Sequence, residues 1–209
     1  MSIFKKIFGT EKKNKGFELD DINNYNLKRI EPGLSQKIIG DCNEIIQTVS
    51  KLPNKEAEKN LHPKNLQTLC ELWLQSNVNE EEIFSKIGVA YGHYICMKHG
   101  YSWAWAADKR TENNGQIHVQ LGLVTSGSNN IIFPVEAAKQ EVSAKDNYLV
   151  NHYESIIEKL GSEKVLPTYQ KIEDYIINAK KSEKSIDVLN VWYRITKQEK
   201  LFFVCSNKD

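Results

Sequence analysis

The sequence predicts an α+β fold: helices packed on one antiparallel sheet, the sheet made of a three-stranded meander and a C-terminal hairpin. Three observations predict it. Apolar residues recur at helical spacing from 34 to 99 and again from about 146. Strict two-residue alternation takes over at 101–107 and 117–124. Asn113-Asn114-Gly115 and Thr125-Ser126-Gly127-Ser128 punctuate the alternating runs as turns.

The elements follow in order. Residues 1–16 place Ile3, Phe4, Ile7 and Phe8 at helical spacing, with five lysines against Glu11 alone. That is the chemistry of a membrane-surface contact, and equally of a frayed end or a helix docked on the fold. Residues 17–33 read as irregular. Leu34, Ile38, Cys42, Ile45 and Val49 form the stripe of a first helix, with Ile39 and Ile46 beside it and Pro53 as its stop. His62-Pro63 opens a second helix, with Leu66, Leu69 and Trp73 inward. Asn79 before three glutamates is a helix cap with acid in the first turn, and Gly100 closes that third helix. After the meander, which ends at Asn130–Phe133, Pro134 opens a short helix to about Val142. Asp146-Asn147 caps the next, with Leu149, Tyr153, Ile156 and Leu160 on one stripe. A further helix over about 163–181 and the hairpin at 188–195 and 201–205 complete the chain. Residues 17–209 read as one domain.

Composition narrows the function classes. The 209 residues are 40% hydrophobic and carry a formal net charge of +1. A nearly neutral chain has no overall field to draw it onto nucleic acid or acidic lipid, so neither nucleic-acid binding nor stable membrane insertion is expected. No apolar run reaches the length of a signal sequence or a membrane span. Cys42, Cys70, Cys96 and Cys205 are scattered and read as reduced, mostly buried thiols, which makes the cytoplasm the expected compartment.

The most constrained segment is the third helix and the strand after it. Gly88, Gly92 and Cys96 fall at successive i+4 positions, a smooth stripe that invites close approach of another backbone. The small face of the strand (Ser102, Ala104, Ala106) is a candidate to meet it, with Tyr101, Trp103 and Trp105 on the other face. In the next strand Ile117, Val119, Leu121 and Leu123 share one face, and His118 and Gln120 the other. Either the tryptophans join the aliphatics in the core, or they join His118 and Gln120 on the surface. The second arrangement makes Tyr101, Trp103, Trp105, His118 and Gln120 a candidate protein-binding patch, rich in the aromatic residues favoured at interfaces.

The order Ile87-Gly88, Tyr91-Gly92, Gly100, Trp103, Gly115, Gly122 and Phe133-Pro134-Val135-Glu136 resembles the uncharacterised bacterial domain-of-unknown-function family 3806 over about residues 83–142. The resemblance implies a bacterial source. It brings no known activity and no catalytic residues.

Familiar chemistry is absent from the motifs. His93, Cys96 and His99 form an H-x₂-C-x₂-H run, but on a helix His93 and His99 lie about 120° apart and do not converge on one metal. Neither Cys42 nor Cys96 sits in a nucleophile turn. Asp108, Lys109, Arg110 and Glu112 are a mixed-sign turn cluster that reads as solvated. No phosphate loop, dinucleotide fingerprint or metalloprotease motif occurs. No cofactor or metal is expected. The leading expectation is therefore non-catalytic protein binding, in its specific form an immunity-type protein that neutralises a toxin. The alternatives are a small-ligand binder or enzyme with a cleft near the sheet, around His118, Trp103 and Trp105, and a membrane-peripheral scaffold.

Overall fold

Pro32 stands in the first turn of helix α1 (Pro32–Val49), where its missing N–H has no helical partner to lose. The computed structural model describes residues 19–53, 60–76, 78–114, 116–143, 147–160 and 185–188. The α1 stripe Leu34, Ile38, Cys42, Ile45 and Val49 is buried as its spacing predicts. Helix α2 (Pro63–Leu74) is capped by His62, whose Nδ1 accepts from the Lys64 amide at 3.3 Å. Helix α3 (Glu80–His99) starts on Asn79, whose side chain accepts from the amides of Glu81 and Glu82, and ends on Gly100 at φ 69°. That left-handed stop is one that a side chain strains to adopt. Helices α4 (Pro134–Ser143) and α5 (Tyr148–Lys159) follow the strands.

The fold is α+β, and its sheet is organised differently from the expected meander. Strand β1 (Asp20–Asp21), a short 3₁₀ turn and strand β2 (Tyr25–Arg29) lie in the segment read as irregular. Strand β2 pairs antiparallel with β3 (Ser102–Asp108), and β3 with β4 (Gln116–Val124). The expected third meander strand is reduced to β5 (Asn130–Ile131), which pairs with β1 and reaches β4 only through a bridge between Leu123 and Ile132. Among the described residues a last strand, β6 (Ser185–Val188), adds to β4 in parallel, so the four-stranded sheet in the order β2-β3-β4-β6 is mixed. The expected hairpin beyond Val188, the helix at 163–181 and the N-terminal segment lie outside the described residues.

One sheet face carries the main core. Trp103, Trp105 and Ala107 stand opposite Leu123, Leu121 and Val119, and this face packs with buried residues of helices α1 to α5. The other face holds a smaller cluster of Leu27, Ala104, Ala106 and Val124, covered by Ile22, Tyr25 and Ile131. Burial of these apolar surfaces is the main stabilising term, at roughly 25 cal/mol per Å² removed from water.

Candidate functional site

Of the two arrangements open to the tryptophans the structure takes the core one, and the candidate patch does not form as one surface. Trp103 and Trp105 are 8% and 5% exposed and Tyr101 is also buried, all within the main core. His118 and Gln120 are half-buried on the opposite side of the sheet, because Gln120 pairs with Ala106 while Leu121 pairs with Trp105. Side-chain alternation thus divides the five residues between two faces, and the tryptophans take the core arrangement.

The glycine stripe is met by partners other than the alanine face. A Cβ on Gly88 would fall 2.5 Å from the Val135 Cα, and one on Gly92 would meet the Trp103 ring and Pro134 Cγ. The close backbone approach is real, and it belongs to the start of α4. It also fixes the Trp103 indole between α3 and the sheet.

Trp103 borders a groove between α1 and α3. A cavity of about 500 Å³ opens where α1 begins, lined by Arg29, Ser35, Ile38, His93, Cys96 and Trp103 among others. A second, of about 430 Å³, is lined by Ile46, Leu61, His93, Tyr94, Met97 and Lys98 together with Asn60. His93 lines both. Ile39 and Met97 beside them are 46% and 75% exposed, large apolar side chains left in water. Among the described residues no carboxylate lines either cavity, whereas Arg29 and Lys98 do.

Sequence reasoning missed this groove. The signal was present in Ile39 and Ile46, apolar residues off the buried stripe of α1, and in Met97, an apolar residue between Cys96 and Lys98. Single apolar residues at such positions carry no information until two helices bring them together.

Chemically the groove is quiet. Burial pushes the Cys96 thiol up to about 12, so it is protonated at neutral pH and a poor nucleophile. Cys42 is pushed up to about 12 for the same reason. Burial also lowers His93, which is neutral there. The H-x₂-C-x₂-H run splits as its helical angles require: His93 and Cys96 line the first cavity, while His99 Nε2 bonds the Tyr153 hydroxyl at 2.9 Å toward α5. Among the described residues no three His, Cys, Asp or Glu side chains gather to hold a metal ion.

Two other polar clusters serve the fold. The Tyr91 hydroxyl and His152 Nδ1 share a buried hydrogen bond of 2.8 Å, with Tyr148 stacked on the imidazole. Arg110, exposed as expected of a turn cluster, also donates to Asp108, to Asp20 at 3.1 Å and to the Tyr25 hydroxyl at 2.6 Å. It ties β1 and β2 to the end of β3.

The chain matches no family model, no curated protein and no solved structure. Among the described residues no helix is long and apolar enough to cross a membrane.

Proposed function

We propose that this chain is a non-catalytic protein-binding module whose partner docks in the groove between α1 and α3. The observation that carries the reading is the pair of adjoining cavities sharing His93, rimmed by Ile39 and Met97 in water. Exposed apolar side chains beside concave surface are what a partner covers, and methionine adapts to the shape of what it meets. Arg29 and Lys98 among the described lining, where no carboxylate stands, favour a partner that brings apolar side chains flanked by acid.

The narrower form of this reading is an immunity-type protein acting in the cytoplasm on a toxin. Its support is the sequence: a small chain, rich in tyrosine and tryptophan, without a catalytic motif. On the same footing we propose kinship of the span from α3 to α4 with domain-of-unknown-function family 3806. Gly88, Gly92, Trp103 and Pro134, four residues of that likeness, meet one another in the fold.

The test is co-expression with a toxin encoded beside it, followed by capture with wild type, Met97→Glu and Ile39→Glu. Loss of both complex and protection in the two variants, with their melting temperatures unchanged, supports the docking site. Equal capture by wild type and both variants moves the interface off this groove. Absence of any complex or protection removes the toxin form.

A further inference from the structure

The first cavity of the groove has a chemistry of its own. Ile30, Ile38 and Ile39 are the aliphatic members of its lining, and Trp103 lines it too. Among its described polar lining Arg29 and Trp103 only donate, Ser35, Ser102, Tyr101 and His93 can donate or accept, and no aspartate or glutamate takes part. The nearest carboxylate in sequence, Glu31, is not in the described lining; its Oε1 is paired with Lys28 at 2.8 Å and its Oε2 is buried without a partner. One observation stands apart from the cavity itself: Trp103 Nε1 is buried and has no hydrogen-bond partner. A buried donor left unmade is costly, so its persistence beside a cavity needs an explanation. At about 500 Å³ the cavity lies within the range that small-molecule sites occupy, roughly 300–1,000 Å³.

We propose that this cavity binds a small carboxylic acid carried on a branched apolar stem. The stem lies against Ile30, Ile38 and Ile39, and the carboxylate takes the donors at the α1 end, Ser35 and the Trp103 indole N–H. Nε1 is covered as it stands, so binding includes a small shift of the ring or of the side chains over it. The missing Cβ of Gly92 leaves the Trp103 ring seated directly on α3 through its Cζ2 and Cη2 edge. By strand alternation Arg29 and Ser102 belong to the sheet face away from Trp103, so they border the cavity at its mouth, where the guanidinium favours entry of an anion. This goes beyond the docking reading, because it needs no partner protein.

The experiment is a heteronuclear NMR titration of the isotope-labelled full chain with isocaproate and, separately, with isocaproamide, its uncharged isostere. The Trp103 indole N–H is assigned through its own ring protons, of which those on Cζ2 and Cη2 lie against Gly92. A saturable downfield shift of that resonance with the acid is expected, together with binding of the amide about tenfold weaker, as loss of a charge-assisted hydrogen bond implies. Ser35→Leu, a substitution on the first turn of α1 that fills the cavity from a half-buried position, is expected to abolish the acid's effect while leaving the spectrum otherwise native. An unmoved indole at millimolar acid, equal binding of acid and amide, or undiminished binding by Ser35→Leu would each overturn the proposal. No partner protein is present in the titration, so its failure leaves the docking reading standing, and failure of docking leaves the titration standing.

Discussion

The Tyr91 hydroxyl lies 2.8 Å from Nδ1 of His152, and both residues are buried where α5 meets α3. Burial, with a smaller contribution from Lys159, depresses the His152 imidazole from its ordinary 6.5 to about 4. The ring is therefore neutral in the folded protein and must be protonated against its surroundings as pH falls. The unfolded chain takes up that proton first. Stability from this residue is complete above pH 6.5, declines as pH drops from 6.5 toward 4, and levels off below. The total is about 3 kcal/mol, since each tenfold change in proton affinity is worth roughly 1.4 kcal/mol. Urea unfolding of wild type and His152→Gln between pH 7 and pH 4 reads it: the stability difference between them is expected to shrink as pH falls. A difference that stays constant with pH would mean that the pair is not titrating.

Gly88 and Gly40 make opposite predictions from the same substitution. A Cβ at Gly88 falls on the backbone of Val135, which cannot rotate away, whereas one at Gly40, on the exposed side of α1, meets nothing within 4 Å. Gly88→Ala is expected to destabilise by about 2 kcal/mol through overpacking. Gly40→Ala is expected to stabilise by about 0.5–1 kcal/mol through helix propensity alone. Thermal melts of the two variants decide both. A neutral Gly88→Ala would mean that α4 does not begin against α3 as described.

The helices were legible in the sequence because their signals are local. The α1 stripe, the Asn79 cap, the Gly100 stop and Pro134 each act within a turn of chain, and each sits where its residue type requires. The sheet was legible only in part. Strand β2 alternates over only four residues, Tyr25-Asn26-Leu27-Lys28, too short a run to stand out, and the polar Asn26 is buried between its apolar neighbours. Its existence is decided by Trp105 and Ala106 lying beside it in space. The location of the tryptophans was undecidable from β3 alone, because both of its faces are apolar and only the pairing of Trp105 with Leu121 fixes the sheet's buried side. The groove was not legible for the same reason: Ile39 and Met97 are far apart in sequence, and neither breaks a local rule.

That pairing yields a direct mutational contrast. Trp105→Ala removes a buried ring and is expected to cost about 3–5 kcal/mol. Gln120→Ala, on the opposite face of the neighbouring strand β4, is half-buried and is expected to change stability by no more than about 0.5 kcal/mol. Chemical denaturation of the two variants measures both. Near-equal, small effects would return Trp105 to the surface.

Arg110 should act as a clasp. Burial alone would raise the Asp108 carboxyl, but hydrogen bonds from the Arg110 side chain and amide outweigh it and hold the group below its usual range. The guanidinium also lies 5.2 Å over the Tyr25 ring. Its side chain is 48% exposed, so solvent screens much of the charge. Arg110→Gln is expected to cost about 1 kcal/mol, chiefly from the hydrogen bonds lost by Tyr25 and Asp108. It should also raise the Asp108 pKa, which NMR titration of that carboxyl reads directly. Because the folded pKa is depressed, the Asp108 contribution is present at neutral pH and lost in acid, and the variant should show less of that loss.

Cys96 lines the first cavity without being a reactive thiol. With burial pushing it up to about 12, only about one molecule in a hundred thousand carries the thiolate at pH 7. Alkylation by iodoacetamide in the native protein is expected to be slower than that of free cysteine by more than about a hundredfold, since an ordinary thiol is a few per cent ionised. Unfolding in urea should restore the ordinary rate, because desolvation is what suppresses the thiolate. Peptide mass spectrometry after timed labelling separates Cys96 from Cys42 and Cys70, which are buried more deeply and should label no faster. Native labelling of Cys96 at the free-thiol rate would make it a nucleophile in a cavity of about 500 Å³, and would turn the reading of that groove from binding toward covalent chemistry.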